Sequence, residues 1–123
     1  MSEKQLEAQV AEGIRNSGFN IVSHRAHFLW FHHPRPDFTV EKSGKRIALE
    51  VKSRPVMLYD ISQASQYKQP GQVGTLLCMP HDALKQTPES VRSYAKQVHV
   101  QLCATDEVGE VLTNMLTQAS SKT

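Results

Sequence analysis

Asp37 and the triplet Glu50-Val51-Lys52, with twelve residues between them, offer two carboxylates and an ammonium that one chain reversal can bring together. Ser43-Gly44 lies midway between them and reads as the turn of a β-hairpin. Phe38 and Val40 alternate on the way in, and Ile47, Leu49 and Val51 alternate on the way out. A turn centred there pairs Lys42 with Lys45, Val40 with Ile47 and Phe38 with Leu49, and it sets Asp37 opposite Glu50. The apolar pairs occupy one face of a half-buried hairpin, while Asp37, Thr39, Ala48, Glu50 and Lys52 share the other. Directly opposed carboxylates, with Cβ atoms ~4.5–5.5 Å apart, repel each other unless something offsets their charge. A hard divalent cation does so, because Mg²⁺ is held by one or two carboxylates together with waters and substrate phosphate. Lys52, two residues along the same face, would orient an attacking water or stabilise charge on a phosphate. The competing reading is an ordinary hairpin whose exposed acids pair with Lys45 and Lys52. A slip of one residue in register removes the opposition altogether.

The elements that must position these groups follow from the pattern on either side. Over 3–17, Leu6, Val10 and Ile14 recur every four residues and Gly18 is placed to end the turn, so the spacing predicts a helix with one buried stripe. A short strand is expected at 19–22, and the hairpin occupies 37–53. Asp60 is a candidate cap for a short helix reaching about Lys68, ended by Pro70-Gly71. The continuous apolar run 75–79 predicts a strand buried on both faces, and therefore helices on both sides of a sheet. A helix from Thr87, with Pro88 at its first position, a strand over 98–102 and a last helix capped by Thr105 complete the chain. The order αβββαβαβα predicts an α/β fold: an αβββαβ core with a mixed central sheet flanked by helices, and a C-terminal αβα extension. A single domain over 1–118 with a disordered tail over 119–123 is expected.

Composition narrows the setting. A chain of 123 residues, 39% hydrophobic, is long enough for one real core, and two domains would be cramped. Its longest apolar runs, 28–31 and 75–79, fall far short of the ~20 residues of a membrane span. The first residues lack a basic stretch followed by an apolar one, so the cytoplasm is the expected location. Cys78 and Cys103 sit in apolar, strand-like runs and read as reduced core thiols. The net charge of +2 is mild, but residues 24–54 carry +4 while each flank carries −1. His24, His27, His32 and His33 fall in the same stretch, so a polyanion is a plausible partner.

Pro36-Asp37 followed by Glu50-Val51-Lys52 resembles the PD-(D/E)XK signature of the restriction-endonuclease-like nucleases. The order of a leading helix, a signature hairpin, a helix and a strand also fits that family. Glu7 sits where the archaeal Holliday-junction resolvases carry a glutamate on the leading helix, with Glu3 and Glu12 as rivals. Gln63 and Tyr67 resemble the glutamine and tyrosine of the RecB-type nuclease motif, with Gln66 competing for the first of these positions. Four residues apart on a helix, the pair would share a face and could address metal-bound water or DNA. The alternatives are that Gln63 closes a capping box with Asp60 and that Tyr67 packs in the core. The resemblance spans 7–67. It implies a metal-dependent deoxyribonuclease in which Asp37, Glu50 and the Val51 carbonyl bind Mg²⁺ or Mn²⁺. Lys52 would position or activate the attacking water, and Glu7 would support a metal-bound water or a second ion. Arg35, Arg46 and Arg54 would then contact backbone phosphates.

Zinc binding by the histidines is disfavoured, since the HxxH spacing lacks a cysteine pair or a helical His-Glu-x-x-His. His33 is assigned instead to the DNA groove or the scissile phosphate, and Trp30 and Phe31 to stacking on unpaired bases, core packing or a dimer contact. The leading expectation is an endonuclease on branched or structured DNA, acting as a homodimer to cut two strands. The alternatives are a RecB-type exonuclease with a helicase partner, and a catalytically silent nuclease fold that binds DNA or assembles with protein.

Overall fold

A computed structural model of the chain describes residues 2–24 and 35–121. The first helix, α1 (Glu3–Asn16), starts at a capping box: Ser2 Oγ accepts the Gln5 N–H at 3.2 Å, and Gln5 Oε1 accepts the Ser2 N–H at 2.9 Å. Leu6, Val10 and Ile14 form its buried stripe, and the chain leaves through Gly18 at a φ of 84°, where a side chain would be strained. Next come β1 (Asn20–His24), β2 (Phe38–Lys42) and β3 (Lys45–Val51), then α2 (Leu58–Ala64) and β4 (Gln72–Met79). The C-terminal part holds α3 (His81–Gln86), α4 (Glu89–Gln97), β5 (Val100–Ala104), a 3-10 turn (Thr105–Glu107) and α5 (Val108–Ser121).

The five strands form one mixed sheet in the order β1-β2-β3-β4-β5. The first three are antiparallel, and β3, β4 and β5 run parallel. The expected α/β architecture of a mixed sheet flanked by helices is therefore present. The hairpin register is also the expected one, with Phe38 opposite Leu49, Val40 opposite Ile47 and Lys42 opposite Lys45. Ser43 and Gly44 both have positive φ, 55° and 76°, which suits the right-handed twist of the strands they join.

The hairpin is not half-buried, however, because helices cover both of its faces. Phe38, Val40, Ile47, Leu49 and Val51 pack with Leu6, Val10, Ile14 and Leu112 of α1 and α5. Ala48 on the opposite face packs with Ile61, Ala64, Tyr67, Val91 and Ala95, in the layer containing α2, α3 and α4. Leu76 and Cys78 of β4 enter the first cluster, and Leu77 and Met79 the second, as a strand buried on both faces requires. Cys78 and Cys103 are buried free thiols with their sulfurs 3.6 Å apart.

Several boundaries differ from the sequence expectation. Strand β5 begins at Val100, two residues late, because α4 ends through His99 in the left-handed region at a φ of 62°. The helix α3 was not expected, since Ala83 is its only fully buried residue and gives no periodic signal. Thr105 opens a 3-10 turn rather than capping α5 directly, and α5 runs to Ser121, so it takes in three of the five residues expected as a tail. Among the described residues, no helix is long and apolar enough to cross a membrane.

Candidate metal centre

The ladder of the hairpin ends at Phe38 and Leu49, and Asp37 continues it with its side chain. Its Oδ2 accepts the Val51 N–H at 2.9 Å, which fixes a buried carboxylate beside the end of β3. Glu50 is buried as well. Its Oε2 accepts the Tyr67 hydroxyl at 2.6 Å, while its Oε1 is enclosed and meets no donor. Burial raises the Glu50 carboxyl to about 8, and the hydrogen bond and negative charge of Asp37 push it the same way. Tyr67 and the Lys52 ammonium only partly oppose this. Two adjoining buried carboxyls, one of them pushed toward its neutral form, make a pair that a cation could hold ionised. The expected opposition of Asp37 and Glu50 thus appears as adjoining buried carboxyls, with Val51 entering through its amide N–H.

Beyond β3, Lys52 reaches α2, and its charge is felt at Glu50. Its Nζ is 4.0 Å from Asp60 Oδ1, and its N–H holds the strand end by donating to the Cys78 carbonyl at 2.9 Å. Asp60 is buried and carries a dense load. Arg54 grips both of its oxygens, at 2.7 and 3.0 Å, and the Met57 N–H donates to Oδ2 at 2.8 Å. Burial works against its ionisation, but the bonds from Arg54 and Met57 and the charges of Arg54 and Lys52 outweigh that and hold the carboxyl below its usual range. Asp60→Asn should therefore lower stability by about 1–3 kcal/mol in chemical denaturation at neutral pH. A carboxyl depressed in the native state stabilises above its ordinary value near ~3.9 and loses that contribution as pH falls through the native value. The difference between variant and wild type should therefore narrow in acid; a constant gap would assign it to packing rather than charge.

No protein-family model matches the chain, and no curated protein does. Among solved structures it is similar to SfsA of Pyrococcus furiosus in complex with Ca²⁺, at 16% identity and a TM-score of 0.46. That likeness covers 83% of this chain and 53% of the other, so this chain spans about half the length of that protein. The reading of the site rests on its own residues.

The remaining expected residues are distributed unevenly. Glu7, on α1, is buried and meets His24 Nε2 at 3.1 Å. His24 stacks on Phe38 with ring centroids 4.2 Å apart and pairs with it across β1 and β2, so Glu7 reaches the same end of the sheet as Asp37. Tyr67 joins the site, but not from a shared helical face: α2 ends at Ala64, and Tyr67 lies in the following turn. Gln63 is half-buried within α2, and its supposed capping partner Asp60 bonds to Met57 instead. Arg54 is committed to Asp60. Arg46 is paired with Glu41 at 2.8 Å near the turn of the hairpin, the far end from Asp37. Arg35 is exposed two residues before Asp37. His27, His32, His33, Trp30 and Phe31 lie outside the described residues.

Two groups escaped the sequence reading. Asp60 was seen only as a helix cap, and nothing in the sequence links it to Lys52 and Arg54. His81, Asp106 and Glu107 gather near the ends of β4 and β5, with potential ligand atoms within 4.8 Å of one another and His81 Nε2 2.8 Å from Asp106 Oδ1. All three are exposed, and Glu107 caps the Ala104 N–H at 3.3 Å. The Asp37–Glu50 pair is the better candidate, because both of its carboxyls are buried.

Proposed function

We propose that this chain is a Mg²⁺- or Mn²⁺-dependent deoxyribonuclease of the PD-(D/E)XK type, an endonuclease acting on branched or structured DNA. The observation that carries the proposal is the pair of adjoining buried carboxyls, Asp37 and Glu50, set by the Val51 N–H and the Tyr67 hydroxyl and influenced by the charge of Lys52. A shared proton relieves the repulsion of the two carboxyls in the metal-free protein, and a divalent cation can take its place. Bound there, the cation supplies a Lewis acid for the phosphoryl oxygen and lowers the pKa of water.

The chain's own groups supply the rest. The Val51 N–H fixes the Asp37 rotamer, and the Tyr67 hydroxyl fixes that of Glu50, so both carboxylates are oriented before a substrate arrives. Lys52 places a positive charge beside them, suited to the attacking water and to the charge that builds on the phosphate. Water attacks phosphorus in line, one ester P–O bond breaks, and the departing oxygen takes a proton. Glu7, oriented by His24, is assigned to water at the same end of the sheet. A homodimer would supply two such centres for two strands.

The test is incubation with linear, closed-circular and four-way-junction DNA in EDTA, Mg²⁺ or Mn²⁺. Cleavage that requires metal supports the proposal, and cutting of closed circles assigns an endonuclease rather than an exonuclease. DNA binding without cleavage under every metal condition would sink the catalytic reading.

A further inference from the structure

Met57, Leu58 and Tyr59 are three consecutive large apolar side chains exposed to 59%, 51% and 72%. Such a run gains nothing for folding and carries a solubility cost, which marks it as a surface with a use. The run is not a frayed loop. Val56 before it and Ile61 after it are fully buried, and Asp60 clamps it from beneath by accepting the Met57 N–H and both guanidinium nitrogens of Arg54. The tip is therefore pre-organised, which lowers the entropy lost when it meets a partner.

Its position selects the partner. The same Asp60 carboxylate that holds the Met57 backbone lies 4.0 Å from Lys52 Nζ, so one side chain separates the apolar tip from the ammonium assigned to the scissile phosphate. The charged groups beneath the tip, Lys52 and Arg54 around the single carboxylate of Asp60, leave a positive balance that favours a polyanion over an apolar protein face. Within paired duplex, the π-faces of the bases are covered by their neighbours. An aromatic and two flexible apolar side chains gain contact only with a base that is already unstacked, or that they help to unstack. Resting on the phosphodiesterase reading above, we propose that Met57, Leu58 and Tyr59 pack against an unpaired base next to the scissile phosphate. The substrate class is then DNA with unstacked bases at junctions, bulges, flaps or single-stranded ends.

The test is fluorescence anisotropy in EDTA, where binding is separated from cutting, using a single strand, a bulged duplex and a fully paired duplex of equal length. Tyr59→Ala should weaken binding to the first two by roughly tenfold or more and change paired-duplex binding by less than about twofold, while Tyr59→Phe restores the wild-type values. A 2-aminopurine at the bulge should change its emission on binding wild type and not on binding Tyr59→Ala. Equal affinities of wild type and Tyr59→Ala for all three DNAs would overturn the proposal, as would an equal loss on all three. A wild-type dimer that Tyr59→Ala converts to a monomer in sedimentation, with DNA binding unchanged, overturns it too, by assigning the tip to a second copy of the chain. If the bulged DNA is bound through Tyr59 yet never cut with Mg²⁺ or Mn²⁺, the tip stands and the nuclease reading falls. If both proteins cut every DNA equally well, the nuclease reading stands and the tip falls.

Discussion

Asp37→Asn is expected to fold and to lose metal-dependent DNA cleavage by on the order of 10³-fold or more, about 4 kcal/mol of transition-state stabilisation. The amide keeps an oxygen where Oδ2 accepts the buried Val51 N–H at 2.9 Å, so the end of the hairpin retains its hydrogen bond. What disappears is the negative charge that the proposed cation site requires. Asp37→Ala removes that acceptor as well and should cost a further ~1–3 kcal/mol of stability, the usual penalty for a buried unsatisfied N–H. The two variants separate chemistry from folding: both should fail to cut, and only Ala should melt clearly earlier. Calorimetric titration with Mn²⁺ should give a binding signal for wild type and none for Asn. If Asp37→Asn cut DNA at the wild-type rate, the catalytic assignment of the pair would be wrong.

Much of this site was legible because the hairpin is locally determined. Ser43-Gly44 supplies the two positive-φ residues of the turn, and strict alternation over 38–42 and 45–51 admits one register, so the proximity of Asp37 and Glu50 follows from spacing. The burial of that pair was not legible. Thr39, Ala48 and Glu50 read as a solvent face, since their cover comes from α2 and the turn after it, which return over the sheet on the way from β3 to β4. In α2 only Ile61 and Ala64 are buried apolar residues, too weak a pattern to announce a packed helix. The partners delivered by that cover, Tyr67 on Glu50 and Asp60 between Lys52 and Arg54, arise from tertiary packing and leave no spacing signal. Arg54 shows the same limit. Its charge was visible and its commitment to Asp60 was not.

Glu50→Gln is expected to make the metal-free protein more stable at alkaline pH while removing its response to metal. Glu50 has its carboxyl raised from 4.5 to about 8 by burial and by Asp37, so the native state holds a proton that the unfolded chain releases. Stability from this group is then complete below about 4.5 and is lost progressively as pH rises through about 8. The loss amounts to on the order of a few kcal/mol, since every tenfold difference in proton affinity between the folded and unfolded chain is worth about 1.4 kcal/mol. A glutamine has no proton to lose. Its amide can donate to Asp37 in place of the carboxyl proton, and its oxygen can still accept from Tyr67. In EDTA, the wild-type Tm should therefore fall between about pH 5 and pH 8.5, while that of Glu50→Gln stays nearly flat and lies above it at the alkaline end. On the proposed reading Mg²⁺ or Mn²⁺ would compete with the proton for the same carboxylates, so added metal should raise the wild-type Tm most at about pH 8 and release protons on binding. The variant should show neither effect. Parallel pH profiles for the two proteins would mean that Glu50 does not carry the proton, and the argument for a cation-seeking pair would lose its electrostatic basis.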